Sequence, residues 1–321
     1  MALYNIMKIC IIGPGCKPIP PTGWGAVESV IWDYYTNLKD KHEVIIINKS
    51  NLKQVIEEAN KVSYDIVHIM YDDHVIITPY LTCNKIFYTS HYAYITHPEF
   101  ESTQKWYFNN IFKHVIINQN KLIINAISEK IKKVYVKYGF PNNKINVLHN
   151  GSREDCFKYY DNPINKDKSI YLAKIEERKK QYLYQSLHNI DFVGNYHNSS
   201  FDTSQKNYLG EWTKDILYSN LSNYGNLILL SDGEADPLVV KEALICGLGV
   251  VVSECSSANL DLSQDFITVI PNNKLKNISF INSEIIKNRE ISIQNREKIR
   301  EYGLKVFSWK NVINKYIELI Q

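Results

Sequence analysis

Two glutamates, Glu234 and Glu242, lie eight positions apart in GEADPLVVKEALICG (233–247), where nearly every neighbour is apolar. An ionised carboxylate in such surroundings needs a partner. Asp236–Pro237 reads as a helix start, with Asp at the N-cap and Pro at the first helical position. That places Glu234 in the turn before the helix and Glu242 about one and a half turns into it. Between Leu238 and Cys246 only Lys241 and Glu242 are polar. YLAKIEERKK (171–180) carries a dense run of charges, which a solvated face would also show. Gly23 and Gly25, in PTGWGAVE (21–28), precede a helix and could let an anionic group reach its backbone N–H groups. A tight strand-to-helix connection would use the same glycines. His91 closes the run KIFYTSH, with His97 as its competitor, and Trp24 sits in the glycine loop.

The elements that must position these residues are short, continuous apolar runs of the kind that form buried parallel strands. The first set is MKICIIG (7–13), HEVIIIN (42–48), DIVHIMY (65–71), KIFYTSH (85–91), LIINAIS (122–128) and KINVLHN (144–150). The second is SIYLAK (169–174), NIDFVGN (189–195), NYLGEW (207–212), NLILLSD (226–232), LGVVVSE (248–254) and FITVIP (266–271). Amphipathic helices are expected over 25–38, over 51–62, over 128–139 with Ser128 as N-cap, and over 308–320. The alternation is α/β and doubly wound. Two Rossmann-like halves are joined where YYDNPINKDKS (159–169) turns polar and loses periodicity. The divisions are 1–158, a linker 159–168, 169–306, and a closing helix 307–321 that could pack back on the first half.

With 321 residues, 45% hydrophobic and 22% charged, the chain is globular and ample for a core. A formal net charge of +3 with scattered basic residues argues against a nucleic-acid partner. The six cysteines form no C-x-x-C pair, as expected of a reduced, cytoplasmic protein. No run approaches the roughly 18 apolar residues of a membrane span, and Lys8 interrupts any signal peptide, so membrane contact would be peripheral.

A dinucleotide fingerprint begins at GPG (13–15) but fails, because Pro18 stands where the third glycine belongs and Asn48–Lys49 replace the acidic residue expected after the second strand. Instead, PTGWGAVESVIWDYYTNLKDKHEVIIIN resembles the opening of the family 4 (group 1) GT-B glycosyltransferases. KINVLHNGSREDCF (144–157) is similar to the family's V-x-x-NG-V-D-x-x-F segment, and YLAKIEERKK to its G-R-L-x-x-x-K-G. GEADPLVVKEALICGLGVVVSE resembles its E-x7-E signature, and FSWKNVINKYIEL (307–319) its closing helix. The matches run in order along essentially the whole chain.

The resemblance implies a GT-B fold, two Rossmann-like domains with a cleft between them, the N-terminal one on the acceptor side and the C-terminal one holding the donor. It implies a retaining transfer from a nucleotide sugar, a UDP- or GDP-sugar, to a glycan or glycoconjugate acceptor, with no cofactor and no essential metal. By the same resemblance Lys179 and Lys174 would meet the diphosphate, Lys174 standing where the family has arginine. Glu234 would lie by the donor sugar and Glu242 would grip ribose hydroxyls. The N–H groups of Leu238 and Val239 would face the diphosphate or sugar. His91 would lie over the donor sugar, Gly23 and Gly25 would belong to the donor loop, Asn150–Gly151 would shape the cleft floor, and Trp24 could meet the acceptor. Asp236 and Pro237 depart from the family's aromatic and glycine, and Asp236 near a diphosphate would repel it unless it caps the helix. That departure motivates a rival reading, a non-catalytic sugar-nucleotide or glycan-binding protein on the same frame. An epimerase or phosphorylase of GT-B type is the rival within enzymes.

Overall fold

The apolar runs become parallel strands. The computed structural model describes residues 5–23, 25–97 and 104–321. Contacts divide the chain into one unit up to Asn150 together with Val312–Gln321, and a second unit, Gly151–Asn311.

The first unit holds β1 (Lys8–Gly13), β2 (Glu43–Asn48), β3 (Ile66–Ile69), β4 (Ile86–Tyr88), β5 (Leu122–Ala126) and β6 (Ile145–Val147) in the order β2-β1-β3-β4-β5-β6. Ile9, Cys10, Ile11 and Ile12 of β1 are fully buried, because β1 is covered on both faces. The helix Ala26–Leu38 turns Val30, Ile31, Tyr34 and Leu38 inward. Ser128 caps the helix Glu129–Lys137, its hydroxyl accepting from Ile131 N–H at 3.3 Å. The last helix, Trp309–Ile320, brings Tyr316 against the stacked ring of His68 and the edge of Tyr34.

The second unit holds β7 (Asn165–Leu172), β8 (Ile190–Val193), β9 (Tyr224–Leu229), β10 (Gly249–Ser253) and β11 (Ile267–Ile270) in the order β11-β10-β9-β7-β8. β7 begins at Asn165, inside the stretch whose polar composition reads as a linker. NYLGEW, expected as a strand, makes only an isolated bridge, Phe192 to Tyr208. Phe192 N–H donates to the Asn207 carbonyl, Leu209 N–H to the Phe192 carbonyl and Gly194 N–H to the Gly210 carbonyl, but Gly210 takes a φ of +75°, which is not a strand conformation. The helices Ile278–Gln294 and Arg296–Phe307 complete the unit.

In each sheet the chain starts at an inner strand, winds outward on one side, then returns to wind the other way. The switch falls between β1 and β3 in the first unit and between β7 and β9 in the second. Open α/β sheets bind ligands beyond the carboxyl ends of the strands at such a point.

Candidate functional site

Lys174, Lys179 and Glu234 all follow the strands of the second switch point, the first two after β7 and the third after β9. Tyr171, fully buried on β7, ties the two loops together: its hydroxyl donates to the Lys179 carbonyl and accepts from Leu230 N–H at 2.8 Å. Asp232 N–H donates to the Arg178 carbonyl at 2.9 Å. Lys180, in a left-handed conformation, pairs with Asp232 at 2.7 Å. The loops are therefore pinned before any ligand arrives.

Glu234 is buried, and Lys179 reaches its Oε1. Arg178, which the sequence pattern did not single out, reaches the same oxygen at 3.2 Å and also donates to the Gly233 carbonyl. Its other amino group donates to Glu176 Oε1 at 2.8 Å, and Glu176 Oε2 holds Lys174 at 3.4 Å. The result is an alternating string, Lys174–Glu176–Arg178–Glu234–Lys179, with three cations and two carboxylates. Burial pushes the Glu234 carboxyl up, but Lys179 and Arg178 outweigh it and hold the group below the usual glutamate range. Lys179 is pulled below the usual lysine range, since burial and the like charge of Arg178 outweigh the pull of Glu234.

The helix carrying Glu242 spans Leu238–Ile245. The expected cap is corrected here: Pro237, not Asp236, is the N-cap, and it offers no side-chain hydrogen bond to the first turn. The first-turn N–H groups of the half-buried Leu238 and Val239 thus receive nothing from the cap residue. Asp236 instead forms a buried ion pair with Lys241 and accepts from Asn259 at 2.9 Å. Its charge is answered inside the protein, which removes the repulsion that an uncapped Asp236 would exert on an anion. Glu242 is half-buried and, among the described residues, has no hydrogen bond or ion pair on its carboxylate. Burial raises its pKa, against the opposing fields of Lys214 and Arg153. At the far end of the helix, Arg300 donates to the Ile245 carbonyl at 2.8 Å and Arg296 to the Cys246 carbonyl at 3.3 Å. They answer the carbonyls at the negative end of the helix.

The remaining candidates lie in the first unit, also at strand ends. Gly25 is the N-cap of Ala26–Leu38, and a Cβ there would come within 2.9 Å of Glu28 Oε2, so no larger residue fits unmoved. Gly23 is half-buried nearby in sequence, and Trp24 lies outside the described residues. His91 follows β4, and its N–H donates to Asp72 Oδ2 at 3.1 Å. Asp72 is buried at the end of β3, and its Oδ1 takes the hydroxyls of Tyr88, Ser90 and Tyr107 at 2.9, 2.5 and 3.0 Å. Burial raises the Asp72 pKa in spite of these donors. Asp72 therefore sets the backbone from which His91 projects, and nothing in DIVHIMYDDH marked it. Among the described residues no group of three His, Cys, Asp or Glu is arranged to hold a metal ion, and no helix is long and apolar enough to cross a membrane.

No protein-family model matches the sequence, and no curated protein does. Among solved structures, the chain is similar to HepE of Anabaena in complex with UDP and glucose, with a TM-score of 0.75 at 14% identity over 98% of this chain and 99% of that one. It is similar to sucrose-phosphate synthase of Thermosynechococcus elongatus, with a TM-score of 0.74 at 12% identity over 98% of both chains. It is also similar to the lipopolysaccharide outer core galactosyltransferase WaaB, with a TM-score of 0.65 at 16% identity over 98% of this chain and 100% of that one. With two parallel-sheet units of six and five strands, and whole-length likeness to these structures, the chain has the GT-B fold of two Rossmann-like domains.

Proposed function

We propose that the chain is a retaining, metal-independent glycosyltransferase that moves a sugar from a nucleotide-sugar donor to a glycan or other hydroxyl acceptor. The observation that carries the reading is the pairing of opposites at one switch point. Cations able to meet a diphosphate, Lys179 and Lys174, lie after β7, and Glu242, whose carboxylate has no hydrogen bond or ion pair among the described residues, stands on the helix after β9. A carboxylate so placed is suited to accept hydrogen bonds from vicinal ribose hydroxyls.

On this reading the second unit holds the donor and the first unit serves the acceptor. The bond between the anomeric carbon and the diphosphate oxygen breaks, and its electron pair leaves with the diphosphate. Lys179, Lys174 and the Leu238 and Val239 N–H groups stabilise that growing charge without reorganising, which is where most of the rate enhancement would arise. Glu234 holds the sugar as it gains oxocarbenium character. The acceptor oxygen bonds to the same face and gives up its proton to the departing diphosphate oxygen, which has gained the electron pair. Ribose binding by Glu242 fixes the carbon in place.

The test is a panel of UDP-, GDP-, ADP- and dTDP-sugars, each with Mg²⁺ and with EDTA, read by thermal shift and by donor hydrolysis. HepE has been crystallised with UDP-glucose, so that donor is the first to try. Hydrolysis or transfer that persists in EDTA, with the anomeric configuration retained in the product, is the expected result. Stabilisation by a nucleotide sugar without turnover would favour the binding-protein reading. No response to any donor would overturn the transferase reading and favour a glycan-binding protein on the same frame.

A further inference from the structure

Lys179 and Arg178 are neighbours in sequence and share one oxygen of Glu234, yet they are held differently. Arg178 donates to the Gly233 carbonyl, Glu234 Oε1 and Glu176 Oε1 among its partners. Its own carbonyl is fixed by Asp232 N–H. A planar guanidinium seated in that many acceptors is already ordered and loses little by staying. The Lys179 ammonium has Glu234 as its one ion-pair partner among the described residues and sits on a flexible four-carbon stem. An arriving diphosphate carries more charge than one carboxylate and would draw the looser cation.

We propose that Arg178 is a positioning residue that keeps its grip on Glu234 Oε1 while Lys179 passes to the diphosphate of the incoming donor, leaving the second carboxylate oxygen for a hydroxyl of the donor sugar. The proposal rests on the nucleotide-sugar reading given above. Its logic is electrostatic. A buried Glu234 that lost Lys179 with nothing in its place would be an uncompensated anion and would take up a proton. With Arg178 in place it stays a carboxylate and a hydrogen-bond acceptor through the exchange. Glu176 extends the arrangement by holding Arg178 from the far side and tethering Lys174 to the same string.

The test uses UDP alone on the full chain, by calorimetry in buffers of different ionisation enthalpy near pH 5.5, so that protons taken up on binding are counted. The wild type should bind UDP with little uptake beyond that of UDP itself. Arg178→Gln should still bind UDP but take up an additional fraction of a proton, approaching roughly one as the pH falls. That extra uptake should vanish in Arg178→Gln/Glu234→Gln and be mostly suppressed in Arg178→Lys. In donor turnover, Arg178→Gln should lower kcat with KM little changed and move the acidic limb of the pH–rate profile upward. Unchanged proton uptake and an unmoved limb in Arg178→Gln would overturn the proposal while leaving the function intact. A variant that loses UDP affinity as much as turnover would make Arg178 a phosphate ligand and also overturn it. If the wild type binds no nucleoside diphosphate, the functional reading itself fails and the proposal falls with it.

Discussion

On the proposed reading, Glu242 and Lys179 serve the donor in separable ways. Glu242→Ala should then weaken UDP binding by roughly tenfold or more while the melting temperature stays level or rises, since a half-buried carboxyl whose pKa burial raises is lost. Calorimetry and a melting curve on the same sample check both halves. Lys179→Ala should lower donor turnover by more than about a hundredfold, the scale of losing one charge-stabilising donor, and a turnover assay near neutral pH reads it directly. The two glutamates stand out in sequence because an apolar run makes a charge conspicuous. Arg178 was not, because EERKK offers several equivalent cations and only the return of β9 decides which one touches Glu234. Asp236 was misread for a related reason. An Asp-Pro pair is an ordinary helix start, and its preference for the cap was overridden by a buried lysine five positions on.

At the scale of single elements, the helix Leu238–Ile245 is tied at its start by its own Lys241 reaching back to Asp236 and at its end by Arg296 and Arg300. The buried pair at its start costs desolvation that only the partner repays. Lys241→Met alone should therefore destabilise the protein by about 3–5 kcal/mol, whereas Asp236→Asn/Lys241→Met should recover most of that loss, as chemical-denaturation midpoints of the three variants would show. The strands were legible because covered strands are continuously apolar. The helix Ile278–Gln294 was harder to see: its inward positions are Ile281, Ile285, Asn288 and Ser292, so half of the buried stripe is polar. Those polar groups are satisfied by partners remote in sequence. Asn288 donates to the Phe266 carbonyl at 3.0 Å, and Ser292 accepts from Gly249 N–H at 2.7 Å.

For the molecule as a whole, acid sensitivity should be set in part by His68. Its ring is fully buried between Thr89 and Tyr316, and burial holds its pKa down to about 3. The folded protein keeps this histidine neutral while the unfolded chain protonates it, so the stabilising contribution is present above about pH 6.5 and is lost as the pH falls toward 3. His68→Gln should flatten the decline of melting temperature between pH 6.5 and 4, measured against the wild type in matched buffers. The two Rossmann-like halves were legible from alternation alone. Val312–Gln321 returns to the first unit, as the closing helix was expected to, and what the sequence did not name is the seat: Tyr34, His68 and Phe87 receive Tyr316.

The chain enters the second unit at Gly151 and leaves it at Asn311, and these two passages are neighbours. Ser152 N–H donates to the Phe307 carbonyl at 2.7 Å, Trp309 N–H donates to the Ser152 carbonyl at 3.2 Å, and the Glu154 carboxylate takes both the Ser308 hydroxyl and Trp309 N–H. A unit whose entrance and exit are stitched together is an insertion in the genetic sense, a cassette set into a host that resumes where it was interrupted. Residues 151–311 produced alone should therefore close on themselves and fold, and new chain ends could be opened elsewhere in the protein by permuting the gene without disturbing that seam.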